Sequence, residues 1–181
     1  LCDIGCGAGL FTEAMAQANC TVTGIDPSKK LIQIARAHAA SQDKSITYIQ
    51  THLADFSAQH SKHFDIITCL EVLEHVENPK QLVQASINCC RPGGWVFFST
   101  INRTFSAWLY GILAAEHCLS LVPKHTHQYE KFLRPSELKC WAQQAHCALE
   151  TITGLAFNPL NHQASLSSDL SINYMMCFKK R

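Results

Sequence analysis

The stretch LCDIGCGAGL, residues Leu1 to Leu10, decides the fold class of this chain. Its first four residues are typical of a buried strand, and the chain begins inside that strand, so we expect the start of the domain to be missing. Glycines follow at alternate positions, Gly5, Gly7 and Gly9. A glycine lets a ligand approach backbone that a Cβ atom would block. The stretch therefore predicts a strand that leads into a ligand-binding turn.

Short β-rich segments alternate with helical segments along the rest of the chain. Further strands are predicted at CTVTGID (20–26), ITYIQ (46–50), FDIITCL (64–70) and GWVFFST (94–100), and near residues 149–157 and 172–178. Helices are predicted after the glycines, from Pro27, from about Pro79 to Cys90, and from about Pro135. This alternation predicts one α/β domain over residues 1–181, with a doubly wound, mostly parallel sheet.

Residues 100–134 interrupt the alternation and are too long for an ordinary loop between a strand and a helix. We expect them to form an inserted lid. Apolar residues recur in this insert at helical spacing: Phe105, Trp108, Leu109, Ile112 and Leu113. Such a face would either lie on a bilayer surface or pack on the domain as a cover for a pocket, and the sequence leaves both open.

Composition excludes some classes of partner and compartment. The chain has 15 basic and 14 acidic residues, scattered along its length, so no basic patch indicates nucleic-acid binding. Its 10 cysteines lie in apolar segments, and no pair has the spacing of a zinc site. We interpret them as small buried side chains with reduced thiols, which indicates a cytoplasmic-type compartment.

The glycine turn and the acid after the second strand point to a nucleotide-like ligand. The glycines follow the pattern G-x-G-x-G, with Leu10 where a dinucleotide-binding loop has its third glycine. Asp26 ends the second predicted strand, about 20 residues beyond the loop, where an acid binds ribose hydroxyls. A nicotinamide-dependent oxidoreductase is thus the weaker alternative, which a measurement of NADH binding would test.

The segment CLEVLEHVENP contains a second candidate site. Glu71, Glu74 and His75 have i, i+3 and i+4 spacing, which predicts that they share one face of a helical turn. Two carboxylates and an imidazole on one face could hold a hard divalent cation such as Mg²⁺. Alternatively, His75 could act unaided as a general base, or the three residues could only line the pocket.

The run D-I-G-C-G-A-G begins with Asp3, before the glycines, and Asp26 follows it later in the chain. This combination resembles the S-adenosylmethionine-dependent methyltransferases of the Rossmann-like class. The resemblance implies that Gly5, Gly7 and Asp26 contact S-adenosylmethionine. It also implies that Leu70 packs near the methionine end of the cofactor, and that the loop at 53–55 lies near the adenine edge.

The later part of the chain resembles the ubiquinone-biosynthesis O-methyltransferases more specifically. The matching motifs are S-T-I-N-R (99–103), A-E (115–116), V-P-K-x-T-H (122–127), K-F (131–132), P-S-E-L (135–138), T-G-L-A-F-N-P (153–159) and N-Y-M (173–175). The resemblance implies methylation of catechol-type hydroxyls on polyprenylated rings, an antiparallel last strand, and a cation held by Glu71, Glu74 and His75. His125 departs from the family pattern, which has glycine there.

The same resemblance implies the partners and the location of the protein. The partners are a polyprenylated catechol or quinol, a peripheral membrane surface and a quinone-biosynthesis assembly. The location is then cytoplasmic and peripheral on a bacterial inner membrane, or on the mitochondrial matrix side if the missing N-terminal segment carried a targeting signal. A non-catalytic cofactor-binding subunit of such an assembly stays open as an alternative. Among the insert's imidazoles, His127 matches the family pattern and is a candidate substrate contact.

Overall fold

The computed structural model describes residues 1–41, 46–109, 129–158 and 163–181. An eight-stranded sheet crosses the molecule in the order β3-β2-β1-β4-β5-β8-β6-β7. The strands are β1 (Cys2–Ile4), β2 (Thr23–Asp26), β3 (Thr47–Gln50), β4 (Phe64–Leu70), β5 (Cys90–Ile101), β6 (Cys147–Asn158), β7 (Gln163–Ser167) and β8 (Asn173–Lys180). The pairs among β1 to β5 are parallel, whereas β8 runs antiparallel to both β5 and β6. The expected mostly parallel sheet with an antiparallel last strand is confirmed.

Helices cover both faces of this sheet, which confirms the doubly wound α/β architecture. They are α1 (Leu10–Gln17), α2 (Lys29–Ser41), α3 (Leu53–Gln59), α4 (Pro79–Cys89), α5 (Phe105–Ala107) and α6 (Pro135–Gln144), with short 3-10 turns at Leu73–His75 and Tyr129–Lys131. The larger core lies under α3, α4 and α6, and a smaller one lies between α2 and β3. Because the strand order reverses between β1 and β4, the fold predicts a ligand site at their carboxyl ends.

The larger core follows from simple side-chain periodicity. Val83 and Ile87 on α4, and Leu138 and Ala142 on α6, are spaced i and i+4 and therefore lie on one face of each helix. All four are buried against the sheet, where they join Phe98 of β5. Burial of a side chain such as Phe98 contributes about 1.5–3 kcal/mol, so this layer supplies much of the stability of the domain.

A buried carboxylate joins three elements beneath the glycine turn. Asp3 on β1 accepts hydrogen bonds from the Thr12 hydroxyl of α1 at 2.7 Å and from the Thr68 hydroxyl of β4 at 2.8 Å. Burial raises the pKa of Asp3, and the two hydroxyl donors oppose that shift. Asp3 therefore fixes the start of α1 and the neighbouring strand β4 relative to β1.

Several sequence-based boundaries are confirmed and others need correction. Strand β4 has the predicted limits, whereas α3 and β7 were not predicted. Cys90 was expected in a helix, but α4 ends at Cys89 and Cys90 begins β5. The nine cysteines that the structure describes are all free.

The insert is described only at its two ends. Strand β5 extends to Ile101, so residues 100 and 101 still belong to the sheet and not to a lid. Residues 110–128, with Ile112, Leu113, His125 and His127, lie outside the described residues, so the lid stays a prediction. No helix in the described part of the chain is long and apolar enough to cross a membrane.

The end of β8 is fixed by a buried ammonium group. Lys180 is only 9% exposed, and its Nζ donates hydrogen bonds to the Ile87 carbonyl at 2.8 Å and the Cys90 carbonyl at 2.7 Å. The Ile87 carbonyl lies in the last turn of α4 and also accepts the Cys90 amide, whereas Cys90 is the first residue of β5. The lysine thus joins the last strand to the α4–β5 junction.

Replacing Lys180 with methionine, which has a similar length, is expected to lower the free energy of unfolding by about 1–3 kcal/mol, because two buried carbonyl oxygens lose a charged hydrogen-bond donor, although the Ile87 carbonyl keeps the Cys90 amide. Lys179→Met is the matched control. The Lys179 ammonium lies 3.9 Å from the centre of the Trp95 ring, and we expect its loss to cost about 0.5–1 kcal/mol. Urea denaturation measures both variants, and equal losses would contradict the role assigned to Lys180.

Candidate functional site

The glycine turn after β1 has a backbone conformation that side chains disfavour. Gly5, Gly7 and Gly9 have φ angles of 73°, 55° and 88°. The amides of Gly5 and Cys6 both donate to the Ile25 carbonyl of β2, at 2.8 and 3.0 Å. The turn is therefore bound to the neighbouring strand, and its conformation is fixed in the absence of any ligand.

Asp26 holds the same turn from the end of β2. Its Oδ2 accepts a hydrogen bond from the Gly7 amide at 3.1 Å, and its Oδ1 accepts one from the Ser28 amide at 2.8 Å. Asp26 is buried, with 8% of its surface exposed. Each carboxylate oxygen has a second lone pair, so Asp26 can still accept hydrogen bonds from ligand hydroxyls. The structure thus joins Asp26 to Gly7, and the contact of both residues with a cofactor stays a prediction.

The three glycines differ in the space around them. A methyl group at Gly5 would lie 2.4 Å from Val72 Cγ2, and one at Gly9 would lie 2.4 Å from the Tyr48 hydroxyl. A methyl group at Gly7 would meet no atom within 4 Å. Gly5 and Gly9 are therefore required for packing, whereas Gly7 borders open space in which a ligand can approach the backbone.

A small, largely apolar cavity lies beside the turn. It has a volume of about 130 Å³ and is lined by the turn, the end of β2, the start of α3 and the segment after β4: Ile4, Gly5, Ile25, Pro27, Thr51, His52, Leu53, Val72, Val76 and Leu82. Leu53 is the first residue of α3 in the structure. The resemblance had placed residues 53–55 in a loop near the adenine edge. The cavity adjoins Asp26 through Ile25 and Pro27, and its apolar lining suits a flat aromatic ring.

Leu70 lies in a different depression. It lines an apolar cavity of about 270 Å³ on one face of the sheet, together with Phe11, Phe97 and Met175 among others. Leu70 does not line the cavity beside Gly5. Its predicted contact with the methionine end of a cofactor therefore stays a prediction.

The E-x-x-E-H segment does not form the single helical turn that its spacing predicted. Glu71 has φ of +54°, and its amide donates to the Ser99 carbonyl at 3.1 Å, as the next step of the β4–β5 ladder. The helical part is a 3-10 turn limited to Leu73–His75. The prediction of one shared helical face was wrong because pairing with β5 holds Glu71 outside the helix.

The two glutamates nevertheless meet, because residues of β5 hold each of them. The Ser99 hydroxyl donates to Glu71 Oε1 at 2.6 Å, and the Thr100 hydroxyl donates to Glu74 Oε2 at 2.8 Å. Burial of the carboxyl group, together with the charge of Glu74, raises the pKa of Glu71 to about 7. Burial also raises the pKa of Glu74, and the Thr100 hydroxyl opposes that shift. Two carboxyl groups thus share a site that disfavours a second negative charge.

His75 is exposed and lies next to this pair. It is close enough to Glu71 for its charge to oppose the rise in the pKa of that carboxyl group. Within the described residues, no three His, Cys, Asp or Glu side chains converge closely enough to hold a metal ion. The structure therefore brings Glu71 and Glu74 together, with His75 beside them and not joined to them in a closed ligand set.

Sequence reasoning missed four residues of this site. Ser99 and Thr100 hold the glutamates, Val72 forms a wall of the cavity, and the Asn173 amide lies 3.5 Å from Glu71 Oε2. Ser99 and Thr100 could have been found from their position at the carboxyl end of a predicted strand beside β4. Asn173 lies in the N-Y-M motif, but its contact with Glu71 has no local signal, because antiparallel pairing with β5 places it there.

Comparisons with known proteins agree with this geometry. Residues 1–152 match a family described as "Methyltransferase domain". The chain is 46% identical to a ubiquinone biosynthesis O-methyltransferase of Aromatoleum aromaticum over 178 residues, which are 98% of this chain and 76% of that protein. It is also 46% identical to a protein of the same name from Coxiella burnetii, over 97% of this chain and 75% of that protein.

A solved structure extends the agreement to the fold. The magnesium protoporphyrin IX methyltransferase of Synechocystis PCC 6803, with bound S-adenosylhomocysteine, superposes with a TM-score of 0.71 at 19% identity. The match covers 99% of this chain and 73% of that one. At this identity the likeness shows a shared fold.

The unequal space at the glycines gives a test of where a ligand binds. Both Gly5→Ala and Gly7→Ala are expected to cost about 1–2 kcal/mol of stability through their positive φ angles. Gly5→Ala should cost a further 1–3 kcal/mol, roughly, because Val72 must move. Gly7→Ala, whose added methyl group meets no protein atom, should weaken S-adenosylhomocysteine binding by about 10-fold, because the methyl group would occupy the space through which a ligand approaches the backbone.

Thermal unfolding and titration calorimetry measure the two quantities for each variant. A Gly7→Ala protein that bound S-adenosylhomocysteine as tightly as the unmodified chain would contradict a ligand site against this turn.

Proposed function

Because this chain belongs to the family of ubiquinone biosynthesis O-methyltransferases, we propose that it transfers the methyl group of S-adenosylmethionine to a catechol-type hydroxyl of a polyprenylated ring. One observation carries this proposal beyond family membership. Val72 lines the cavity beside Gly5 and also directly follows Glu71 in the chain. The candidate cofactor cavity and the acidic pair are therefore built from adjacent residues of the segment after β4.

In this proposal, the glycine turn and Asp26 position the cofactor. Gly7 offers open backbone, and Asp26 accepts hydrogen bonds from the ribose hydroxyls while it keeps the turn in place. The apolar cavity that includes Leu53 and Val76 receives the adenine ring. The sulfonium methyl group is already a strong electrophile, so the main tasks of the protein are to align it with the acceptor oxygen and to remove a proton.

The acidic pair is the candidate site for a divalent cation. The donor chemistry fits, since Glu71 and Glu74 are oxygen donors held side by side. A cation would offset the burial that raises the pKa of each carboxyl group and the charge of Glu74 that raises the pKa of Glu71 further. Glu71, Glu74 and His75 are the residues that would hold Mg²⁺. When bound, the cation would favour the ionised form of a ring hydroxyl. In its absence, the exposed His75 is the candidate general base for the same proton.

The aromatic residues after β5 are the candidate contact for the polyprenyl chain or for the membrane that contains it. Phe105 and Trp108 are 70% and 37% exposed, and their ring centres lie 5.5 Å apart. Ala107 between them is buried with Ile101 and Phe132, so one side of this short segment packs on the domain while the aromatic pair faces outward. An exposed aromatic pair of this kind suits an apolar partner.

The proposed activity is tested by methyl transfer from labelled S-adenosylmethionine to a short-chain prenyl catechol, first with Mg²⁺ and then with excess EDTA. We expect transfer that is lost with EDTA and regained with Mg²⁺. Glu71→Gln and Glu74→Gln should each lower kcat/KM by about 10²-fold, the lower end of the range for losing positioned acid–base assistance. Glu77→Gln is the matched control, because Glu77 is an exposed carboxylate just beyond the same segment.

The other outcomes separate the parts of the proposal. Methyl transfer that EDTA does not change would support the methyltransferase activity and contradict the role of the cation. His75→Gln would then be the next variant to measure. Binding of S-adenosylhomocysteine without transfer to the catechol would overturn the substrate assignment and favour a non-catalytic cofactor-binding role.

A further inference from the structure

Ser99 contacts both the backbone and the side chain of Glu71. Its hydroxyl donates to Glu71 Oε1 at 2.6 Å and accepts a hydrogen bond from the Glu71 amide at 3.2 Å. The Ser99 carbonyl accepts from the same amide at 3.1 Å. Ser99 itself is buried, with 2% of its surface exposed. The serine therefore fixes the direction of the Glu71 side chain relative to its own main chain.

This contact acts on a residue with a disfavoured backbone. Glu71 has φ of +54°, in the left-handed region that costs an ordinary side chain about 1–2 kcal/mol. The left-handed residue ends β4 and turns the chain into the 3-10 segment that contains Glu74. The bonds from Ser99 offset this cost, so they help to keep the turn that brings the two glutamates together.

The neighbouring residue holds the second carboxylate in the same manner. Thr100 is fully buried and donates to Glu74, which is 5% exposed. Adjacent residues of a strand point to opposite faces of the sheet. Ser99 and Thr100 therefore hold the two carboxylates from the two sides of the carboxyl end of β5, against the repulsion between them.

We propose that Ser99 is a positioning residue that sets the Glu71 carboxylate beside Glu74 so that the pair can bind a divalent cation. This inference rests on the cation site in the proposed function. The Ser99 hydroxyl would not itself be a ligand of the cation. It acts through Glu71, as outer-shell partners of metal-binding carboxylates do, and their loss typically weakens metal binding by about 10- to 100-fold.

The test measures Mg²⁺ binding to the whole chain by titration calorimetry, without cofactor or substrate. Ser99→Ala is expected to weaken Mg²⁺ binding by about 10- to 100-fold. Ser99→Thr keeps the hydroxyl and suits a strand, so it should restore the affinity to within about threefold. The affinity for S-adenosylhomocysteine should be unchanged in both variants. Ser99→Cys, which keeps the volume but donates poorly, replaces Ser99→Ala if the alanine variant does not fold.

Ser86→Ala is the control for loss of a buried hydroxyl. Ser86 is fully buried on α4, and its hydroxyl donates to the Leu82 carbonyl at 2.8 Å, so its loss should affect stability and leave Mg²⁺ binding unchanged. Ser99→Ala that binds Mg²⁺ like the unmodified chain, or that loses Mg²⁺ and S-adenosylhomocysteine binding equally, overturns the inference. If the unmodified chain binds no Mg²⁺, the proposed cation site is overturned as well. Methyl transfer measured in EDTA would then show separately whether the chain has methyltransferase activity.

Discussion

The hydrogen bonds between the glycine turn and the end of β2 are the constraint on which the rest of the site depends. The Ile25 carbonyl receives two amides of the turn, and Asp26 receives a third from Gly7. These bonds require positive φ angles, which only glycine adopts without strain. Because the turn is held in this way, the backbone at Gly7 faces open space. Gly5 lines the cavity beside the turn and adds no side chain to it.

The acidic pair depends on the same region through Asp3. By accepting hydrogen bonds from Thr12 and Thr68, Asp3 fixes β4 against β1 just below the turn. Glu71 directly follows β4, so the pairing of β4 with β1 and this buried carboxylate help to set its distance from the glycine turn. A parallel sheet places the ends of β1, β2 and β4 at one edge, and Asp3 fixes β4 relative to β1 there.

The sequence predicted the features whose signals are local. The glycine turn, the acid at the end of β2 and the limits of β4 all follow from residue type and short-range pattern. The arrangement of Glu71 did not, because i, i+3 and i+4 spacing describes a continuous helix, whereas pairing with Ser99 holds Glu71 in a strand ladder. Helix α3 was missed since its seven residues are too few to show a clear helical period. At Glu71, by contrast, a contact distant in sequence outweighed the local pattern.

The two acidic sites differ in how their charge is satisfied, and this difference assigns their roles. Asp26 receives backbone amides on both oxygens, so the protein itself supplies donors for the carboxylate. Glu71 and Glu74 receive neutral hydroxyls and face each other; burial raises the pKa of each, and the charge of Glu74 raises the pKa of Glu71 further. A hydroxyl can orient a carboxylate but cannot neutralise it. Asp26 is therefore stabilised by the protein alone and can also bind a ligand. Glu71 and Glu74 are stabilised fully only when a proton or a cation binds to the pair.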